Sequence, residues 1–244
     1  MYENLKKAID GSDRIVFFGG AGVSTESGIP DFRSETGVYK TRSEYGMPPE
    51  EIISLPFFKR DPDVFFDYYK NNLIYTDAQP NAAHLALARL EERGKLFAVV
   101  TQNIDGLHQK GGSKNVIEVH GSVLRNHCMK CGTFYDVDYI MDAANCDNHV
   151  PKCKKCGGII KPDVVLYQES LDSNVLTRAI DAIARADLLI VGGTSLVVYP
   201  AAGFINYFKG NNLALINKSE TAYDINADIV IHDAIGKVLG SVVD

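Results

Sequence analysis

Short apolar runs that end in glycine or polar residues recur along this chain. Uninterrupted apolar runs are typical of buried parallel strands, because both faces of such a sheet are covered by helices. On this basis the sequence predicts strands at Arg14–Phe18, Phe97–Val100, Val116–Val119, Leu188–Val191, Leu213–Ile216 and Ile229–Ile231.

Between these runs, apolar residues recur at helical spacing. One helix is predicted from Asn81, a good N-cap, to Gly94, a residue that commonly ends helices. A second is predicted over 171–186 with Asp172 as its cap, and a last one over 235–243. Strands that alternate with helices predict an α/β fold with a parallel sheet covered on both faces.

Two regions interrupt this alternation. Residues 35–80 are rich in aromatic side chains and predict short helices, whereas residues 123–161 hold all five cysteines. Both regions are interpreted as insertions that pack together into a smaller lobe, which leaves 1–34, 81–122 and 162–244 for the sheet domain. The expected ligand site is the cleft between the lobes, at the carboxyl ends of the strands.

Composition narrows the possible functions only slightly. The 244 residues carry a net charge of −6 with both signs interspersed, which argues against nucleic acid as a partner. Cysteines in C-x-x-C pairs indicate metal binding in a reducing compartment, so a cytoplasmic location is expected. The uncharged stretch 188–205 contains Gly192, Gly193 and Pro200. Such breakers argue against a membrane span.

A glycine-rich turn follows the first predicted strand. Gly20-Ala-Gly-Val-Ser24 matches part of a dinucleotide-binding fingerprint, although Thr25 stands where a third glycine would be. Glycines there let backbone N–H groups approach a pyrophosphate. An ordinary glycine turn is the alternative. The loop that follows, Gly28–Arg33, combines an acid, an aromatic ring and a guanidinium, which favours a ligand-binding role.

Polar residues also follow the next two strands. Gln102, Asn103 and Asp105 offer amide and carboxylate groups suited to ribose hydroxyls and a carboxamide, although a simple Asn/Asp turn is the alternative. His120 comes directly after the strand 116–119, where a histidine can act as a general base near neutral pH or serve as a buried structural residue. His108 is expected to start a helix and to point away.

The paired cysteines are the strongest local motif. Two C-x-x-C pairs predict a closed tetrahedral zinc site of structural type. Because the spacing between the pairs is slightly long, Cys146 and His149 are alternative ligands. The glycines after Cys156 favour a zinc knuckle with the ligands Cys128, Cys131, Cys153 and Cys156.

Together these motifs resemble the sirtuins, NAD-dependent protein-lysine deacylases, over nearly the whole chain. The resemblance implies a Rossmann-like parallel-sheet domain and a smaller lobe made of a helical insertion and a zinc-ribbon insertion, with NAD as a consumed co-substrate and one structural Zn²⁺. It further implies an NAD-binding set and a substrate pair that contacts the acyl-lysine peptide. The NAD-binding set is Gly20, Ala21, Thr25, Phe32, Arg33, Gln102, Ile104, Asp105, Thr194, Ser195, Asn217 and Asp233, and the substrate pair is Val165 and Tyr167.

The implied activity removes acyl groups, mainly acetyl, from lysines of proteins or peptides. Its products are nicotinamide, an O-acyl-ADP-ribose and free lysine, with His120 as the base and Asn103 as a second catalytic residue. Two residues depart from the family pattern: Gly19 replaces a common threonine, and Gln168 replaces a usual glycine in the substrate segment. The second departure leaves the peptide preference open.

Two alternatives remain at this stage. An NAD glycohydrolase or ADP-ribosyltransferase would need Asn103 and Asp105 but no base at position 120. A zinc ribbon that binds nucleic acid is the other alternative, and the negative charge opposes it.

The helical insertion also bears on the acyl group. Sirtuins that prefer succinyl or malonyl lysine resemble one another in a Tyr-x-x-Arg pair. Here Tyr68 and Tyr69 have asparagines three residues on, and no arginine lies between Arg60 and Arg89. Neutral acyl groups, acetyl foremost, are therefore expected, unless Lys70 reaches the pocket.

Overall fold

The computed structural model describes residues 2–31 and 45–243. Its strands, numbered along the chain, are β1 Ile15–Gly19, β2 Leu96–Thr101, β3 Val116–Glu118, β4 Gly121–Cys128, β5 Phe134–Asp136, β6 Cys146–Asp147, β7 Val150–Pro151, β8 Ile160–Val164, β9 Leu188–Gly192, β10 Asn212–Ile216 and β11 Ile229–Ile231. Its α-helices are α1 Glu3–Asp10, α2 Pro49–Ile52, α3 Leu55–Arg60, α4 Pro62–Asn72, α5 Ala82–Glu92, α6 Leu107–Lys110, α7 Val137–Met141, α8 Ser173–Ala184 and α9 Ile235–Val242.

Within the described residues, six parallel strands form the main sheet in the order β11-β10-β9-β1-β2-β3. All six lie where the apolar runs predict them, with bounds that differ by one or two residues. The predicted caps also form, since the side chains of Asn81 and Asp172 accept hydrogen bonds from the first turns of α5 and α8. The predicted Rossmann-like α/β fold is confirmed.

Each face of the sheet buries its own apolar layer. On one face, α1, α5 and α9 pack over alternate strand residues such as Phe17 and Ile190. On the other, α8 and the 3₁₀ segment Ala201–Tyr207 cover the intervening residues such as Phe18 and Val191. The segment after Pro200 is therefore a 3₁₀ helix.

The smaller lobe joins two parts of the sequence. Helices α2, α3 and α4 pack their aromatic residues against the sheet β5-β4-β8 and the hairpin β6-β7 in one apolar cluster. The lobe meets the main domain at Gly121, where β3 gives way to β4. A Cβ there would lie 1.8 Å from the Asp163 carbonyl oxygen, and φ is +76°, so this junction requires glycine.

The uncharged stretch 188–205 is not a single helix. Within residues 2–31 and 45–243, every helix is too short or too polar to cross a bilayer. The stretch instead forms β9 and the turn and 3₁₀ segment that follow it.

Candidate functional site

The carboxyl ends of the main-sheet strands open into one cavity of about 1020 Å³. It lies at the point where the strand order changes direction. From β1, the strands β2 and β3 are added on one side of the sheet, and β9, β10 and β11 are added on the other. Such a switch point is where open α/β sheets bind ligands. Of the predicted site residues, the cavity is lined by Gly20, Ala21, Thr25, Gln102, Asn103, Ile104, His120, Val165, Tyr167, Thr194, Ser195, Asn217 and Asp233.

Two glycine turns form the floor of the cavity between β1 and β9. Gly22 N donates to Gly193 O at 2.8 Å, and a Cβ on Gly22 would lie 2.8 Å from Gly193 Cα. A Cβ on Gly20 would likewise lie 2.9 Å from Thr194 Cβ. No side chain fits between these turns, so main chain faces the cavity there. Exposed main chain of this kind suits the close approach of a pyrophosphate.

A chain of buried hydrogen bonds fixes the polar loop after β2. The Asn103 amide donates to Ser24 Oγ at 3.0 Å, and Ser24 Oγ donates to Asp105 Oδ2 at 2.6 Å. The other oxygen of Asp105 accepts from Leu107 N at 2.8 Å. Asn103 lines the cavity, whereas Asp105 does not. In this structure the Asp105 carboxylate holds the loop in shape, and the predicted contact with NAD stays a prediction.

Ser24 is a residue whose role the sequence motif did not show. It is buried, and it joins the loops after β1 and β2 through a single hydroxyl. In the sequence, its position at the end of the motif Gly20–Ser24 is the one local feature that points to a role in the site.

His120 ends the short segment after β3 and lines the cavity. Its Nδ1 lies 3.1 Å from Gln102 O. A carbonyl oxygen only accepts, so Nδ1 carries the proton and Nε2 of the neutral ring is left as an acceptor. Burial lowers the pKa of His120 below its usual 6.5, and the hydrogen bond to Gln102 opposes this only partly. The ring is therefore neutral at physiological pH.

His120 is also tied to the predicted substrate segment. Its carbonyl oxygen accepts from Val165 N at 2.9 Å. Two residues further on, Tyr167 N donates to Ile53 O at 3.0 Å and Tyr167 O accepts from Leu55 N at 2.9 Å. The segment 165–167 thus bridges the strand end that carries His120 and the helices of the smaller lobe.

The far end of the cavity is built by the loops after β9, β10 and β11. Asn217 and Thr194 form a reciprocal pair: Thr194 N donates to Asn217 Oδ1 at 3.0 Å, and Asn217 Nδ2 donates to Thr194 O at 2.7 Å. Asp233 accepts from Lys237 and from the Tyr2 hydroxyl, and these bonds, Lys237 first, lower its pKa to about 2. Asp233 is therefore an anion at this end.

Apolar side chains line the part of the cavity nearest the smaller lobe. Ile53 and Leu73 come from the helical region and face Ile104, Val164 and Leu166 of the cavity wall. Neither Ile53 nor Leu73 carries a sequence motif, and only packing brings them here. Tyr68, Tyr69 and Lys70 do not line the cavity.

The four predicted zinc ligands lie together in the smaller lobe. The Sγ atoms of Cys128, Cys131, Cys153 and Cys156 all lie within 4.8 Å of one another. The Cys128–Cys156 and Cys131–Cys153 separations are 3.5 and 3.6 Å. Tetrahedral zinc with Zn–S bonds of 2.3 Å places its sulfurs roughly 3.8 Å apart, so the donor set fits Zn²⁺.

Other contacts bear on the same site. The Thr133 hydroxyl, 3.1 Å from Cys131 Sγ, lowers the pKa of that thiol to about 6 and favours the thiolate that zinc requires. The alternative ligand Cys146 is occupied elsewhere, since its Sγ lies 3.2 Å from Lys70 Nζ. Phe32 and Arg33 lie outside the described residues.

Fold and site together define a class: a Rossmann-like nucleotide-binding domain with a metal-stabilised lobe across the cleft. The Sir2 family model matches residues 20–200. An "NAD-dependent protein deacetylase" of Clostridium perfringens is 63% identical over 98% of this chain and 97% of its own length. The chain belongs to the Sir2 (sirtuin) family.

Solved structures agree with this assignment. A Sir2 protein with a deacetylated p53 peptide and 3′-O-acetyl ADP-ribose has a TM-score of 0.89 and 37% identity, over 97% of this chain and 95% of the other. A Sir2 homolog–NAD complex has a TM-score of 0.87 and 39% identity, over 100% and 93% of the two chains. The predicted family is confirmed.

Proposed function

We propose that this chain is an NAD-dependent protein-lysine deacylase that acts mainly on acetyl-lysine. The observation that carries the proposal is the placement of His120. A neutral histidine with an unprotonated Nε2 lies in the same cavity as the glycine turns and adjoins the predicted substrate segment. The deacetylase relative and the peptide-bound Sir2 structure support a protein or peptide substrate.

The residues present fit NAD. The main chain at Gly20–Gly22 suits the pyrophosphate, Thr194, Ser195, Asn217 and Asp233 would hold the adenosine side, and Gln102, Asn103 and Ile104 would hold the nicotinamide side. When bound, NAD supplies the ribose that accepts the acyl group as nicotinamide is released. Ala21, Thr25, Phe32, Arg33 and Asp105 complete the proposed set.

His120 moves the proton. The Gln102 carbonyl keeps hydrogen on Nδ1, which leaves the lone pair of Nε2 directed away from that bond to accept a proton from a ribose hydroxyl. Burial keeps the ring neutral and therefore competent as a base. Asn103, held by Ser24, is a fixed amide in the same cavity and is proposed as the second catalytic residue.

The remaining parts of the chain have supporting roles. Val165 and Tyr167 would contact the acyl-lysine peptide, and the apolar wall near Ile53 and Leu73 would surround a neutral acyl group. Zinc would hold the smaller lobe together without taking part in the reaction, because four thiolates leave no open coordination position. We place the lobe boundaries at residues 35–80 and 123–161 and the location in the cytoplasm, where thiols stay reduced.

Mass spectrometry of products tests the proposal. Protein incubated with NAD and an acetyl-lysine peptide should give deacetylated peptide, nicotinamide and O-acetyl-ADP-ribose in equal amounts. Nicotinamide release without the acetylated peptide would instead favour the NAD glycohydrolase. ADP-ribose attached to the peptide would favour the ADP-ribosyltransferase. The alternative of a zinc ribbon that binds nucleic acid is tested by a gel mobility-shift assay at low salt. No shift is expected.

A further inference from the structure

The turn that follows the substrate segment contains an unusual backbone conformation. Leu166 O accepts from Glu169 N at 3.0 Å, which closes a four-residue turn, and Gln168 at its third position has φ +66°. A left-handed residue at this position, after a residue of negative φ, is the pattern of a type II turn, which favours glycine or asparagine. A glutamine here is strained relative to glycine.

A partly buried ion pair fixes the turn in this conformation. Glu169 Oε2 accepts from Leu166 N at 3.0 Å and pairs with Lys161 Nζ at 3.0 Å. The same ammonium donates to the carbonyl oxygens of Pro162 and Val164 at 3.1 and 3.0 Å. These bonds hold both ends of the turn, so the backbone position of Gln168 is fixed by its surroundings.

The Gln168 side chain itself has no such partner. It is exposed and lines the same cavity as His120, and within residues 2–31 and 45–243 its amide forms no hydrogen bond. A strained residue with an unpaired amide contributes nothing evident to the fold. The amide is available to a ligand in the cavity.

The hydrogen-bonding groups of the Gln168 amide limit the kind of ligand that it can bind. A primary amide donates and accepts at the same time, which matches a peptide group, whose N–H and C=O it can bind together. Gln168 comes one residue after Tyr167, whose two main-chain hydrogen bonds are already made to Ile53 and Leu55. The Gln168 side-chain amide is thus an unpaired hydrogen-bonding group at this end of the substrate segment, within the described residues.

From this arrangement we propose that Gln168 is a substrate-specificity residue: its side-chain amide binds the main chain of the peptide beside the acyl-lysine. This inference rests on the proposed deacylase function and deepens it. Because the contact is made outside the acyl-lysine, it contributes to recognition of a peptide and not to recognition of the modified side chain.

Steady-state kinetics with two substrates test the inference. One is an acetyl-lysine peptide with residues on both sides, and the other is the free amino acid Nε-acetyl-lysine, which has no peptide group. Gln168→Gly and Gln168→Ala should each raise KM for the peptide by about 3- to 10-fold, the value of one hydrogen bond, and leave kcat and KM for NAD unchanged. KM for the free amino acid should not change.

The pair of variants separates recognition from turn geometry. Alanine keeps the strained φ of the wild-type residue, whereas glycine relieves it, so a purely structural role predicts wild-type kinetics for Gln168→Ala and a change, if any, for Gln168→Gly alone. That result would overturn the inference, as would equal losses on both substrates. Gln168→Asn keeps an amide at a tolerated φ and should retain more peptide affinity than Gln168→Ala. If wild-type protein deacetylates neither substrate, the proposed function itself has failed.

Discussion

The main sheet domain and the smaller lobe hold their cores together in different ways. In the sheet domain, β1 and β9 are buried along their whole length, and each face is covered by helices. In the smaller lobe, the core is an aromatic cluster around Phe58, Phe65 and Phe66 that extends to the cysteine site. A zinc ion bound by the four cysteines would tie β4 to the segment that holds Cys153 and Cys156, a kind of cross-link that the described part of the main domain lacks.

The two lobes contribute different parts of the cavity. The sheet domain provides rigid strand ends for the polar groups of the cavity, including His120. The smaller lobe provides an apolar wall and the backbone that pairs with Tyr167. A change in either lobe should therefore have a distinct effect on stability or activity.

Loss of zinc is expected to have the largest effect. In Cys128→Ala or after chelation, the smaller lobe should lose its fold, because binding of structural zinc contributes on the order of 10 kcal/mol to folding. Deacylation should disappear while much of the helical signal of the sheet domain persists. Circular dichroism and metal analysis measure this, with Cys146→Ser as the matched control that keeps its zinc. Zinc loss in the control would show that the ligand set is wrong.

His120→Ala tests the sheet domain alone. Deacylation should fall by about 10²-fold or more, the usual effect of removing a general base, with zinc content and melting temperature near those of wild type. Exchange of labelled nicotinamide should survive better than product formation. Because burial lowers the pKa of His120, wild-type activity should fall only as pH drops below the usual histidine value of 6.5. Full deacylation by the variant would remove His120 from the mechanism.

The pH dependence of stability is a second test of the sheet domain. His84 and His108 are buried with ring centroids 4.7 Å apart, and burial lowers the pKa of His84 to about 4 and that of His108 well below 6.5. The unfolded chain therefore binds more protons below pH 6.5, so stability is complete above that pH and is lost as pH falls toward 4. Denaturant unfolding should show at least about 2 kcal/mol less stability at pH 5 than at pH 7.5, which is the contribution of His84 alone.

A variant isolates the contribution of this pair. His108→Phe keeps a ring of similar size but cannot take up a proton, so its stability should change less with pH. An unchanged pH dependence would assign the effect to other groups.

Acyl preference tests the smaller lobe and is the smallest expected effect. Among residues 45–80, the side chains that reach the cavity are Ile53 and Leu73, while Lys70 Nζ donates to Cys146 Sγ and to His149 O. A carboxylate in this apolar part would lack a described cationic partner. We expect kcat/KM for acetyl-lysine to exceed that for succinyl-lysine by about 10-fold or more, on peptides of one sequence. Preference for succinyl would contradict this.

Lys70→Met gives the control for that experiment. Lys70 is the one lysine or arginine of α4, and methionine removes its charge while keeping a side chain of similar length. Since Lys70 contacts the β6-β7 hairpin and not the cavity, the acetyl-to-succinyl ratio should stay constant.

Much of this molecule was determined by local sequence. Parallel strands are buried on both faces, so their apolar runs are visible without knowledge of their neighbours, and all six strands of the main sheet were predicted. The same local logic held for the caps Asn81 and Asp172 and for the cysteine pairs, whose spacing is set by the geometry of one metal ion. Motifs of this kind depend only on residues close together in the chain.

Tertiary structure decided what depends on distant contacts. It turned the Asp105 carboxylate toward Ser24, brought Ile53 and Leu73 to the cavity, and directed Lys70 to the β6-β7 hairpin. Each of these outcomes follows from packing between segments far apart in sequence, where a small rotation of a helix or loop changes which side chain faces the cavity. The pattern of apolar and polar positions shows which face of an element is buried. It does not show which other segment that face packs against.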